Sequence, residues 1–212
     1  MKIRSIIIFL FIISLTGYSQ EHKSLFGHRG NVNCISFSPD SKTMVSCDEN
    51  GNLVFRDTES GAATHSIDSK TNITSVNYSP ASLNAVVFTE YTGYVNLMKA
   101  DSKEIFKNFS VDGNSYYADF SDDGKQLAVA YVKEPTQKEK DKGIRISYYV
   151  EIFETDKYTK IKTLKLTKAS DNDGELFGSE FFETYRFNYF NCDFNPAATY
   201  IAAGSMGKNI PI

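Results

Sequence analysis

The sequence predicts an all-β chain assembled from repeated antiparallel sheets. Three observations predict it. Apolar and polar residues alternate along short runs. An aromatic residue and a turn cluster recur at nearly constant spacing. No stretch after the N-terminal leader sustains a helical period. The aromatic content of 14% is all Phe and Tyr, which with Val, Ile and Thr favours strands.

The first unit sets the pattern. In NVNCISFSPDSKTMVSCDENGNLVFRD, residues Asn31 to Asp57, two alternating runs flank SPDSK and a third follows ENGN. Strands are expected at Val32–Ser38, Thr43–Cys47, Asn52–Asp57 and Ala62–Ile67. The pattern recurs in ITSVNYSPASLNAVVFTEYTGYVNLM from Ile73, in SYYADFSDDGKQLAVAYV from Ser115 and in YFNCDFNPAATYIAAGSMGKNIPI from Tyr189. The aromatics closing each first run, Phe37, Tyr78, Phe120 and Phe194, lie 41, 42 and 74 residues apart. Pro39 and Pro80 preset φ for a tight turn, Asp40, Asp122 and Asp123 can accept from nearby backbone N–H groups, and Gly124 can take positive φ.

A period of roughly 40 to 45 residues with four short strands is the signature of a propeller blade, because one such sheet cannot bury both faces and radially stacked sheets can. The expected fold is therefore an all-β propeller of four-stranded antiparallel blades, about three and a half of them in this chain. The blades fall near residues 30–68, 71–111 and 115–167, with an incomplete one at 187–212 and insertions at 133–145 and 168–186. His22–Phe26 could serve as the last strand of a closed four-blade ring. The favoured expectation is the leading part of a larger propeller, which would leave an apolar blade face and unpaired edges open.

The N-terminus reads differently. Lys2 and Arg4 precede the apolar run Ile6 to Leu15, and Gly17-Tyr18-Ser19 offers a small-x-small cleavage site. Residues 1–19 are expected to be a secretory signal peptide, since the run is shorter than the roughly 20 residues a spanning helix needs. The expected location is secreted, periplasmic or extracellular. Losing Lys2 and Arg4 takes the formal charge from −3 to −5, so nothing electrostatic draws the chain to nucleic acid or anionic lipid. Export permits disulfides. If Ser38 faces Thr43, Cys34 falls opposite Cys47 on one face, and the two are a candidate bridge. The other reading is two small buried hydrophobes.

At Gly27-His28 and SFSPDSKTMVSCDENGNLVFRD the sequence resembles the WD-repeat family. The resemblance covers the first unit well and the others in outline. It implies a buried network of a His, a strand Ser or Thr, a turn Asp and a strand Trp. His28 and Ser46 match. Asn50 stands at the Asp position, Arg56 at the Trp position, and Asp57 keeps the acidic residue that follows. With the network incomplete, Arg56 is expected to point to solvent. The resemblance also implies a non-catalytic protein- or peptide-binding scaffold that uses the loops of one disc face. The alternative is an accessory propeller of a larger secreted hydrolase or peptidase.

The insertions offer further candidates. The charged stretch 133–145 reads as a solvated hairpin loop. Residues 168–186 carry Phe177, Phe181, Phe182 and Tyr185, which either cover a blade edge or form a partner surface. The same stretch holds Asp171, Asp173 and Glu180 at EF-hand-like spacing, but Ala169 stands where the first ligand belongs, so calcium is a weak candidate. AAGSMGKN, Ala202 to Asn209, lacks the glycine and hydroxyl of a phosphate loop and reads as a turn. His22, His28 and His65 have no metal spacing, no nucleophile elbow occurs, and no carboxylate pair stands out for acid–base work. No catalytic residue and no cofactor are expected.

Overall fold

The alternating runs form strands that pair in sequence order. The computed structural model describes residues 24–80, 82–141, 147–166 and 190–205. The first sheet comprises β1 (Val32–Phe37), β2 (Thr43–Asp48), β3 (Asn52–Asp57) and β4 (Ala63–Asp68). The second comprises β5 (Ile73–Tyr78), β6 (Ala85–Glu90), β7 (Tyr94–Lys99) and β8 (Ile105–Ser110). The third comprises β9 (Asn114–Phe120), β10 (Gln126–Lys133), β11 (Ser147–Glu154) and β12 (Thr159–Leu166), and β13 (Phe190–Phe194) pairs with β14 (Ile201–Ser205). Each four-stranded sheet is an antiparallel meander in chain order. Together these are about three and a half blades.

The backbone repeats in detail. The pairing of the first two strands slips near the same end in all three sheets, at Val32/Cys34, Ile73/Ser75 and Ala130/Tyr131. The last two strands slip at Phe55/Arg56, Leu97/Met98 and Ile152/Phe153. Such bulges bend a strand and increase its twist, so equivalent slips give the sheets equivalent shapes. The first turns repeat as well. Asp40 Oδ1 accepts from Ser38 Oγ at 2.6 Å and Lys42 N at 3.1 Å, as Asp123 Oδ1 does from Ser121 Oγ at 2.7 Å and Lys125 N at 3.0 Å. Ser41 takes φ 60 where Gly124 takes φ 70. The sequence marks this left-handed position only where glycine fills it.

Three apolar seams hold the sheets face to face. Val45, Cys47, Leu53 and Phe55 meet Ile73, Val76, Val86, Phe88 and Met98 between the first and second sheets. Ala85, Val87, Val95 and Leu97 meet Ala118, Leu127, Val129 and Phe153 between the second and third. Ala128, Ala130, Val150 and Ile152 meet Cys192, Ile201 and Ala203 of the β13–β14 hairpin. Alternate residues of β6 thus enter opposite seams, which is why AVVFTE is nearly continuously apolar. Phe88 is 1% exposed, and truncating such a side chain to alanine costs about 3–5 kcal/mol. The outer strands β4 and β8 are mostly exposed.

The inner strands β1, β5 and β9 are laced side by side. Tyr78 N donates to Ser36 Oγ at 3.0 Å and Ala118 N to Ser75 Oγ at 3.1 Å. Asn33 Nδ2 donates to Ile73 O at 2.7 Å and Asn77 Nδ2 to Ala118 O at 2.8 Å. These bonds satisfy backbone groups that the strand ladders leave open and fix the height of each sheet against the next.

Two expectations change. The stretch after β10 is not loop alone, because Gln137–Asp141 form a short helix, α1. Thr136-Gln-Lys-Glu139 is a capping box: Thr136 N donates to Glu139 Oε2 at 2.8 Å, and Glu139 N donates to Thr136 Oγ1 at 3.4 Å. Ser24–Phe26, the described part of the stretch considered as a closing strand, are irregular. They lie against the free face of the first sheet, from which Ile35 and Phe37 project 56% and 60% exposed. No described sheet covers that face.

Candidate functional site

Residues 26–31 run along the free face of the first sheet and build a polar network against it. Ser46 on β2 and Asp48 at its end both point to that face. His28 Nε2 lies 2.6 Å from Ser46 Oγ, and His28 Nδ1 lies 3.0 Å from Asp48 Oδ2. A carboxylate only accepts, so Nδ1–H donates to Asp48, and the Ser46 hydroxyl bonds the other nitrogen. Asp48 also accepts from the N–H groups of Arg29, Asn50 and Asn52 at 3.2, 3.0 and 2.9 Å, and from the Asn52 amide at 2.8 Å. Burial opposes the charge, but these donors outweigh it and hold the Asp48 carboxyl at about 2. The carboxylate of the network therefore comes from Asp48 and not from the Asn50 position, and Asn50 contributes its backbone N–H. The signal was the turn itself: an acid immediately before E-N-G can accept from the N–H groups of the turn it opens.

Below this network lies Arg56. It does not point to solvent, as the incomplete network had suggested, and is 5% exposed. Its guanidinium donates to Gly61 O at 3.2 Å and to Phe26 O. Carbonyl groups of two loops replace the partners an incomplete network would have lacked. Asp57 Oδ1 accepts from Ser60 N at 2.7 Å and Ser60 Oγ at 2.6 Å, closing the turn between β3 and β4. On the opposite face of the sheet Cys34 pairs with Cys47 in register and forms a disulfide, with Cα atoms 5.5 Å apart. Cys192 is free and buried.

The end of the sheets that carries the β2–β3, β4–β5, β6–β7 and β8–β9 connections presents tyrosines. Tyr91 lies in the β6–β7 turn and Tyr94 opens β7, 42% and 51% exposed. Tyr91 meets Tyr116 of β9 edge to face, ring centres 5.8 Å apart. Burial first, then the neighbouring Tyr91, pushes the Tyr116 hydroxyl above its usual range. Tyr131 stacks on Tyr149 at 5.2 Å, with Lys165 Nζ 5.7 Å from the Tyr149 ring. The Tyr131 hydroxyl donates to Glu151 at 3.2 Å, and Lys133 pairs with Asp112. Rigid aromatic faces rimmed by charges are what a polypeptide partner uses as anchors. The aromatics of E-Y-T-G-Y and S-Y-Y were visible in the sequence. Their position at one end depends on strand ends that only the fold sets.

A second feature lies in the third seam. Asp119 on β9 faces β13. Burial, which outweighs the Phe120 N–H, together with Asp193 and Asp122 pushes its carboxyl up to about 7. Burial and the same Asp119 and Asp193 also raise the Cys192 thiol. This carboxylate pairing was not read from the sequence, where the two acids lie 74 residues apart.

Asp171, Asp173 and Glu180, and with them Phe177, Phe181, Phe182 and Tyr185, lie outside the described residues. So does the leader. Among the described residues no group of His, Cys, Asp and Glu is arranged to hold a metal, and no helix is long and apolar enough to cross a membrane.

Comparison with known proteins fits this architecture. Residues 19–57 match the family model described as WD domain, G-beta repeat. No curated protein matches the chain. Repeats of this kind support a protein-interaction or scaffold module. The matched repeat and the three four-stranded antiparallel sheets together fit a WD-repeat, propeller-like family.

Proposed function

We propose that this chain is a non-catalytic binding or scaffold module, exported from the cytoplasm, that holds a protein or peptide partner at its tyrosine-bearing end. The observation that carries the reading is the exposure of Tyr91 and Tyr94 beside the Tyr91–Tyr116 pair. Large aromatic surface left open at the junction of two sheets is a recognition surface in waiting. The strands beneath it are buried and bulged in register, so the anchors are held rigidly and little side-chain freedom is lost on binding. The leader Lys2–Leu15 with Gly17-Tyr18-Ser19 supports export.

Cross-linking of the chain in its own host, followed by identification of the joined peptides, tests this reading. The partner peptides should map to residues 91–94, 116 and 148–149. Tyr91→Ala with Tyr94→Ala should reduce the cross-linked product at least tenfold while leaving the circular dichroism spectrum unchanged. An unchanged product, or cross-links confined to other surfaces, would refute the reading. Cell fractionation tests export, and retention of the full-length chain in the cytoplasm would refute that part.

A further inference from the structure

Arg56 is a buried cation that no buried carboxylate among the described residues pairs with. Its residue is 5% exposed, and its two bonds go to the carbonyls of Gly61 and Phe26. Among the described residues no carboxylate forms an ion pair with it. A guanidinium has five N–H donors in a fixed fork, so the two carbonyls leave donors over. A cavity of about 490 Å³ opens beside it, lined by Ser24, Leu25, Phe26, Arg56, Ser60, Gly61 and Ala62. Two of those walls are apolar and open: Leu25 is 42% exposed and Phe26 84%.

We propose that this cavity binds a carboxylate carried next to an apolar group, as at the C-terminus of a peptide or on an acidic side chain flanked by a hydrophobic residue. The chemistry follows from the lining. A desolvated guanidinium gains most from a planar anion that can take two parallel N–H bonds, and the carbonyls of Gly61 and Phe26 already hold the fork in place. Leu25 and Phe26 give the ligand's apolar part a surface to cover. The site lies at the end of the sheet opposite the tyrosines and stands independently of the function proposed there.

Titration of the full chain with N-acetyl-phenylalanine, with N-acetyl-phenylalanine amide and with the amidated dipeptide N-acetyl-Phe-Glu, followed by ligand-observed NMR, tests the proposal. At least one acid should bind ten or more times more tightly than the neutral amide. The tighter of the two acids names the source, chain terminus or side chain. Arg56→Gln should abolish the preference. Because removing a buried side chain can disturb folding, Ala62→Glu provides a second variant. It places a carboxylate at the exposed rim without touching a sheet bond and should displace both acids. Equal binding of acid and amide, the absence of saturable binding to the wild-type chain, or acid binding unchanged in Ala62→Glu would overturn the proposal.

Discussion

Replacing Asp48 by alanine removes the acceptor that organises the turn between β2 and β3. Asp48 is 0% exposed, and its two oxygens accept from His28, from three backbone N–H groups and from the Asn52 amide. Arg29 and Asn50 are exposed and can turn to water. His28 and Asn52 are not, and each buried donor left unpaired costs about 1–3 kcal/mol. The expected loss is therefore about 3–4 kcal/mol, a large share of the roughly 5–15 kcal/mol that holds a domain folded. Urea unfolding followed by far-ultraviolet circular dichroism measures it. Acid gives a second readout. The folded carboxyl sits at about 2 against 3.8 for the free group. Its contribution is complete above the unfolded value and is lost as pH falls from there through about 2, a change of roughly 2 kcal/mol. Asp48→Asn should lack that part of the acid slope. Asn50→Ala, by contrast, should cost less than about 0.5 kcal/mol. A loss below about 1 kcal/mol for Asp48→Ala, or a larger loss for Asn50→Ala, would refute the assignment.

Other outcomes follow from the same contacts. Asp119 is the opposite case: its folded value of about 7 lies above the free value, so its charge opposes folding increasingly as pH rises from about 4 through 7. Asp119→Asn should raise stability at pH 8 by up to about 4 kcal/mol and change little at pH 4, as urea midpoints at the two values will show. The Cys34–Cys47 bridge closes a loop with a sequence separation of 13, and reducing it or making both residues serine should lower stability by about 3 kcal/mol, read as a fall in melting temperature on adding reductant. The Tyr78 hydroxyl is buried with no hydrogen-bond partner among the described residues, so Tyr78→Phe should be neutral or stabilising by up to about 1 kcal/mol in the same urea assay.

Much of the fold was legible in the sequence because a strand of period two writes its own pattern. VNCISF, TMVSCD and NLVFRD became β1, β2 and β3 with ends shifted by at most one residue. The Cys34–Cys47 register followed from counting outward from the SPDS turn, and the structure pairs those residues. Other features resisted for physical reasons. Ser41 occupies a left-handed turn position without glycine, held by Ser38 and Asp40. Arg56 was expected in solvent because its partners are main-chain carbonyls of Phe26 and Gly61, and a carbonyl leaves no mark in sequence. Asp48 was passed over for Asn50 because two turn residues compete for one role, and only geometry shows which carboxylate reaches His28. The Tyr91–Tyr116 contact joins residues of neighbouring sheets and needs the stacking to be known first.

That stacking is tested most directly by nuclear Overhauser contacts between the inner strands of an isotope-labelled chain. The account places the Tyr78 amide on the Ser36 hydroxyl at 3.0 Å and the Ala118 amide on the Ser75 hydroxyl at 3.1 Å. Cross-peaks from both amides to the β-protons of those serines are expected. Their absence in a spectrum that still shows the β1–β2, β5–β6 and β9–β10 pairings would mean that the sheets form without stacking face to face with their inner strands side by side, and the account would be contradicted.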